Sequence, residues 1–364
     1  MENKNKNKKI VLCQKFRYNI NATDCSNRLH SDEIQRRIKM TQKITIQRIA
    51  ELAGVNKATV SRVLNGSAAI STTTREKVEQ IIKEYNYVPN SLAKGLASKK
   101  TFTIGLCQDF TNKEAFSNPF FYKVLNGIEN IVYQQDYSFL MMSHRARAEG
   151  KSMFERVVSE HKVDGIIMPS SLFDDESHKL LESFKMPFVV LGEGMVEGKD
   201  IHWVDVDNEQ AAGLLTRRLL KLGHKKIGIY SDKLTAKRDQ FIMKRIQGYM
   251  NTMFQFGLQA FVETEIADIY KHDLEAIICC THDQLFGLLD ENKNEALQRE
   301  VVLATFDDNP LFQYFKRPIH YVSVELEKMG EEAASLLFSI IEQAKDIPHQ
   351  IQITTSEADV TNYS

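Results

Sequence analysis

The chain has 364 residues, 43% hydrophobic and 26% charged, a balance that fits two or three folded domains and excludes a disordered or collagen-like chain. No apolar run approaches the ~20 residues that span a bilayer, and the five cysteines show no CxxC or CxxH spacing, which argues against a membrane protein and a zinc module. The net charge of −1 conceals an asymmetry: residues 1–100 carry 20 Lys/Arg against 8 Asp/Glu, whereas residues 101–364 carry 27 against 40. A basic front on an acidic body points to a polyanion-binding module joined to something that is not one.

Residues 1–40 are rich in Asn, Lys and Arg without sustained periodicity and read as a disordered basic extension. The rival reading of this segment is a DNA-contacting basic arm. No apolar stretch or small-residue cleavage site follows "MENKNKNKKIVLC", so the expectation is a cytoplasmic protein with reduced core cysteines. From Thr41 the pattern changes to short amphipathic helices. "TIQRIAELA" places Ile46, Ile49, Ala50 and Ala53 on one helical face. Gly54 supplies the turn, Asn56 can cap the next helix, and Lys57, Ala58, Ser61 and Arg62 then face outward. A third helix repeats Val78, Ile81, Ile82 and Tyr85 and is expected to stop at Pro89. Such a hairpin is either a packing unit with a solvated face or a helix-turn-helix that reads the major groove; periodicity alone does not choose between them.

Beyond residue 100 the short apolar runs "TFTIGLCQ", "VDGIIMP", "PFVVLGE", "KKIGIY", "EAIICC" and "EVVLATFDD" alternate with amphipathic helices such as "NEQAAGLLTRRLLKLG". Strand alternating with helix predicts parallel sheets of βαβ units, with ligands beyond the carboxyl ends of the strands. About 260 residues of this pattern fit two α/β lobes. No Walker or GxGxxG loop is present, and neither Asp307-Asp308 nor His282-Asp283 makes a paired-carboxylate or nucleophile–base site, because strand neighbours point to opposite faces. A cytoplasmic sugar enzyme is therefore the remote alternative.

"ITIQRIAELAGVNKATVSRVLNG", "STTTREKVEQIIKEYNYVPNSLAKGLASKKTFTIGL", "LGHKKIGIY", "RIQGY" and "FDDNP" resemble, in order, the LacI/GalR family of sugar-responsive repressors over about residues 43–340. The loop "DFTNKEAFSNPFF", with "KRDQFIMKRIQGY" and "PFVVLGE", is most similar to Gram-positive maltose-operon repressors. The resemblance implies an all-α helix-turn-helix DNA-binding domain (41–88), a hinge helix and linker (89–100), and a two-lobed α/β body of the type I periplasmic-binding-protein kind (101–364). Its N-lobe is expected over about 101–203 and 319–343, and its C-lobe over about 205–317 and 344–364. It implies a homodimer on a pseudo-palindromic double-stranded DNA operator, no cofactor, no metal and no membrane, in the cytoplasm at the nucleoid. Without a heptad after Glu342, no tetramer-forming coiled coil is expected.

Carried over by position, Lys57, Ala58 and Arg62 read bases. Thr45, Asn56, Thr59, Ser61, Asn65 and Tyr87 hold phosphates, and Ala93, Lys94 and Leu96 enter the minor groove, Leu96 as the wedge. In the body, Phe120, Phe121, Arg245, His282, Asp283 and Asp307 fall at effector-binding positions. His282 stands where the family usually has asparagine, which brings a ring that titrates near neutrality. The implied effector is maltose, a malto-oligosaccharide or another glucoside. A different small molecule or a phosphoprotein co-repressor is the alternative.

Overall fold

The computed structural model describes residues 44–64, 66–87, 100–110, 119–144, 150–193, 201–232, 240–269, 271–289, 301–315, 317–357 and 360–363. The chain divides into two compact units, residues 1–93 and 94–364. Asn65, the hinge residues Ala93, Lys94 and Leu96, and the extension 1–40 lie outside the described residues.

In the first unit α1 (Ile46–Ala53), α2 (Lys57–Leu64) and α3 (Thr72–Glu84) close around Ile49, Ala50, Ala53, Val60, Val63 and Val78. Thr45 caps α1 by accepting from the Arg48 amide. Gly54 ends it in the left-handed region at φ 65°, which only a residue without Cβ adopts freely, and its amide returns to the Ala50 and Glu51 carbonyls. Tyr85, fourth in the apolar repeat of the third helix, is exposed rather than buried. That helix also stops before Pro89. Asn86 turns left-handed at φ 45° and the Tyr87 amide closes on the Ile82 carbonyl at 2.9 Å, so a local cap ends it and the proline is not needed.

The second unit runs β1 (Thr103–Gln108), α4 (Pro119–Gln134), β2 (Ser138–Ser143), α5 (Met153–Ser159), β3 (Gly165–Pro169), α6 (Asp175–Ser183), β4 (Phe188–Leu191) and β5 (Trp203–Val206). It continues α7 (Asn208–Lys221), β6 (Ile227–Tyr230), α8 (Gln240–Gln255), β7 (Phe261–Glu263), α9 (Ile266–Ile269), β8 (Ala276–Cys279), α10 (His282–Leu289) and β9 (Val302–Phe306). The last elements are β10 (Ile319–Val322), α11 (Leu326–Ile341), β11 (Gln350–Ile353) and β12 (Val360–Tyr363). The strands form two six-stranded sheets, ordered β11-β5-β4-β3-β1-β2 and β12-β10-β9-β8-β6-β7. Neighbours within each sheet pair parallel except β10 with β12. Apart from the opposite sense of the edge strands β11 and β12, the two orders are the same walk through equivalent strands, so the lobes share one βαβ plan, buried on both faces as parallel sheets require.

Sheet membership moves the expected lobe boundaries. Ile319–Val322 pairs with β9 and β12 in the second lobe, and Gln350–Ile353 pairs with β5 in the first. The chain thus changes lobes after β5, after β10 and after β11, each time past a completed strand and not inside one. Trp203 lies before the first crossing, in the first-lobe core with Phe154 and Val190. Cys107, Cys279 and Cys280 are buried free thiols, and burial pushes Cys107 and Cys280 up to about 12, which leaves them unreactive packing residues. Among the described residues no helix is long and apolar enough to cross a membrane.

Close helix contacts make each lobe stiff. A Cβ on Gly127 of α4 would lie 1.9 Å from the Glu327 carbonyl oxygen of α11. In the second lobe a Cβ on Gly248 of α8 would lie 2.0 Å from the Glu209 carbonyl oxygen of α7.

Candidate functional site

Two surfaces carry chemistry, one in each unit. In the first, α2 begins at Asn56, whose Oδ1 accepts from the Thr59 amide at 2.7 Å and from the Thr59 hydroxyl at 2.9 Å. That cap frees the Asn56 side-chain amide to donate outward, while the Thr59 hydroxyl proton is already engaged within the cap. Lys57, Ala58 and Arg62 are exposed on one face of α2, Ser61 and Thr59 are half-buried beside them, and Val60 and Val63 face the core. Thr45 is exposed at the start of α1 with its hydroxyl oxygen on the Arg48 amide at 3.3 Å. Tyr87 packs half-buried against the same core, and burial raises its phenol above the ordinary value. The second helix of the pair therefore presents two cations and a methyl group, with short polar side chains at its flank. In protein–DNA complexes generally, cations and methyl groups contact base edges and short polar side chains hold phosphates.

In the body the polar residues converge at the carboxyl ends of the strands. Arg245 of α8 is 6% exposed. Its Nε donates to Asn208 Oδ1 at 2.9 Å, one terminal nitrogen donates to the Cys280 carbonyl at 2.6 Å, and the other stands 4.0 Å from Asp307 Oδ2. The guanidinium lies 4.0 Å over the Phe306 ring and 5.0 Å from that of Phe241. Burial lowers its pKa; the neighbouring Asp307, Cys280 and Asp205 act against that shift. Asp307 follows β9 at φ 65°, a left-handed position uncommon for a residue with a side chain. Its Oδ1 is buried with no hydrogen-bond partner. Burial raises the Asp307 carboxyl above the ordinary carboxylate range, and Arg245 only partly offsets this. An unmet acceptor beside a guanidinium with donors to spare is a matched pair for two adjacent hydroxyl groups.

His282 does not point a free ring into this space. Its Nε2 donates to the Asp307 backbone carbonyl at 3.1 Å and its Nδ1 faces the Asn309 side-chain amide at 3.5 Å. Both ring nitrogens are engaged in holding the strained Asp307–Asn309 loop. Asp283 is exposed in the first turn of α10, and the cap there belongs to Thr281 and Gln284, which exchange side-chain and backbone bonds. Phe120 and Phe121 are half-buried against the first-lobe core, with Phe121 edge-on to Tyr122.

Two residues of the cluster escaped the sequence reading. Asn208 bridges the lobes by accepting from Arg245 and directing its amide to the Asp205 carboxylate at 3.4 and 3.5 Å and to the Val206 carbonyl at 3.1 Å. Asp205 also accepts from the Val206 and Glu193 amides, and burial pushes its carboxyl up to about 6. The signal was present in "VDVDNEQ", where a carboxylate interrupts an otherwise apolar strand.

Comparison with known proteins follows the same division. The model for bacterial regulatory proteins of the lacI family matches residues 45–90, and that for periplasmic binding proteins and the sugar binding domain of the LacI family matches residues 111–363. The HTH-type transcriptional regulator MalR of Staphylococcus xylosus is 30% identical over 313 residues, covering 82% of this chain and 92% of that protein. A solved complex of the transcriptional regulator CelR with cellobiose aligns at a TM-score of 0.58 and 25% identity, covering 88% of this chain and 98% of that one. The lac repressor dimer bound to operator and an anti-inducer shares the fold at a TM-score of 0.66 and 19% identity, covering 89% and 98%. With the reading helix in one unit and the polar strand-end cluster in the other, the chain belongs to the LacI family: it is a DNA-binding transcription regulator of the sugar-metabolism type, and not an enzyme.

Proposed function

We propose that the protein is a homodimeric repressor, cytoplasmic and nucleoid-associated, whose affinity for a pseudo-palindromic operator is set by a glucoside bound between the lobes. The observation that carries the effector reading is the unpartnered buried Oδ1 of Asp307 beside the donors of Arg245. A buried acceptor left unmet costs about 1–3 kcal/mol, a cost that a sugar hydroxyl removes. Arg245 and Asp307 take adjacent hydroxyls of one glucose unit, and His282 acts by holding the Asp307 loop. Phe120 and Phe121 supply an aromatic wall, and Asp283 contributes helix-terminal charge. The cellobiose complex of CelR supports a two-glucose effector, and the sequence resemblance to maltose-operon repressors favours maltose.

On DNA, Lys57 and Arg62 donate to guanine edges and Ala58 contacts a thymine methyl. Thr45, Asn56, Ser61 and Tyr87 hold phosphates, joined by Asn65, with Ala93, Lys94 and Leu96 in the minor groove; Thr59, expected among the phosphate contacts, has its hydroxyl proton on Asn56 Oδ1 and supports that cap instead. Anisotropy of labelled duplexes from the region upstream of the protein's own gene tests this, with maltose, maltotriose and cellobiose added in turn. Specific binding with an affinity near 10⁻⁸–10⁻¹¹ M, weakened by one sugar, is the expected result. Equal affinity for scrambled duplexes overturns the operator reading, and indifference to all three sugars overturns the glucoside.

A further inference from the structure

The shared plan of the two lobes places the same pair of charges twice. Lys123 sits four residues before Gly127 on α4, and Lys244 sits four residues before Gly248 on α8. These helices follow the equivalent strands β1 and β6. Glu193 is the second residue past the end of β4, and Asp308 the second past the end of β9, again equivalent strands. Each lysine reaches the carboxylate of the other lobe. Lys123 of the first lobe pairs with Asp308 of the second, and Lys244 of the second pairs with Glu193 of the first at 3.7 Å. The glycines four residues on lie in backbone contact with α11 and α7, so both lysines stand on helices that cannot shift within their lobes. The Glu193 amide is tied to Asp205, and Asp308 adjoins the strained Asp307.

We propose that Lys123–Asp308 and Lys244–Glu193 are reciprocal latches that hold the lobes together and so set how readily the effector is captured. The second half of this statement rests on the effector reading above; the first does not. Neither pair hydrogen-bonds to Asp307 Oδ1, although the charges of Lys123 and Asp308 act in opposite directions on the Asp307 carboxyl. The side chains are about one quarter to one half exposed, and partly solvated pairs of this kind shift an equilibrium about two- to fivefold each. Because the latches lie at symmetric points, breaking one leaves the other as a pivot, and breaking both frees the cleft.

Double electron–electron resonance on the full-length protein without DNA or sugar tests the latch directly. Spin labels go on cysteines introduced as Tyr133→Cys and Phe254→Cys, at exposed sites of α4 and α8, in a Cys13→Ser, Cys25→Ser background diluted with unlabelled chain. Lys123→Glu combined with Lys244→Glu is expected to move the distance distribution to longer values, and restoring opposite charge with Asp308→Lys and Glu193→Lys to bring it back. Salt at 0.5 M should reproduce the opened distribution in the unmodified latches. A distribution unchanged by the double reversal, or one that the compensating changes fail to restore, overturns the latch. A parallel titration with maltose and cellobiose, followed by Trp203 fluorescence, should show affinity falling by the factor by which the closed fraction falls. Opening without any sugar binding retains the latch and refutes the effector reading. Sugar binding with unchanged distances does the reverse.

Discussion

Gly248→Ala and Gly287→Ala make the same chemical change on two helices of one lobe, and the structure gives them opposite signs. A methyl at Gly248 would lie 2.0 Å from the Glu209 carbonyl oxygen and 2.8 Å from its carbon, both backbone atoms that no rotamer change can move. A carbon–oxygen contact needs about 3.3 Å, so α7 and α8 must part by about 1.3 Å. Overpacking of that kind costs about 1–3 kcal/mol and outweighs the roughly 1 kcal/mol gained by replacing glycine in a helix. The damage is aimed at the site, because Glu209 adjoins Asn208, whose Oδ1 holds Arg245 Nε at 2.9 Å. Parting the helices by that amount takes the bond beyond hydrogen-bond reach. At Gly287 of α10, by contrast, an added Cβ meets nothing within 4 Å, and the substitution should stabilise by about 0.5–1 kcal/mol. Urea unfolding of the two variants, alongside a maltose and cellobiose titration, separates the cases. A Gly248→Ala protein as stable as its parent, with Arg245-dependent sugar binding intact, would refute the argument from close helix packing.

Other outcomes are as definite. Asp307→Ala should leave operator affinity unchanged and abolish the response to effector, measured by anisotropy with and without sugar; normal induction would remove Asp307 from the site. The Asp205 carboxyl is held at about 6, above its unfolded value of 3.8, so the folded protein binds the extra proton. Its contribution is present in full below pH 4 and is lost as pH rises through 6; stability should therefore fall by about 1 kcal/mol between pH 5 and 7 relative to Asp205→Asn, as read from paired urea curves. Arg62→Ala should cost about 1–3 kcal/mol on the cognate operator and relax selectivity at one base pair, whereas Thr45→Ala should weaken all duplexes alike. Asn56→Ala removes the α2 cap and should destabilise the first unit by about 1 kcal/mol, measured by hydrogen exchange of the Thr59 and Val60 amides.

The helix pair was legible because its signals are local: a cap at Asn56, a left-handed glycine at 54 and apolar spacing all lie within one or two turns. The strands were legible for the same reason, being short apolar runs between polar turns. Which sheet β10 and β11 join was not, since "IHYV" and "QIQI" carry no mark of a partner more than a hundred residues away in the case of β11 and β5. Within the site, Arg245 and Asp307 came from the resemblance and proved to face one another, whereas the engagement of both His282 ring nitrogens with the Asp307–Asn309 loop had no mark in the sequence. The reciprocal lysines were hidden for another reason. Lys123 and Lys244 look like ordinary solvated helix charges until the equivalence of β4 with β9 brings their partners opposite.

The return of β11 to the first sheet has a consequence for synthesis. The first lobe lacks its edge strand until Ile353 has been made, so the nascent body waits for nearly the whole chain before either lobe's neighbours are complete. The three-helix unit is finished at Tyr87 and needs nothing downstream for its own core. At about 5–20 residues per second the ribosome takes roughly 10–50 s between those two points. For that interval each new molecule carries a finished three-helix unit on a body whose first sheet still lacks an edge strand.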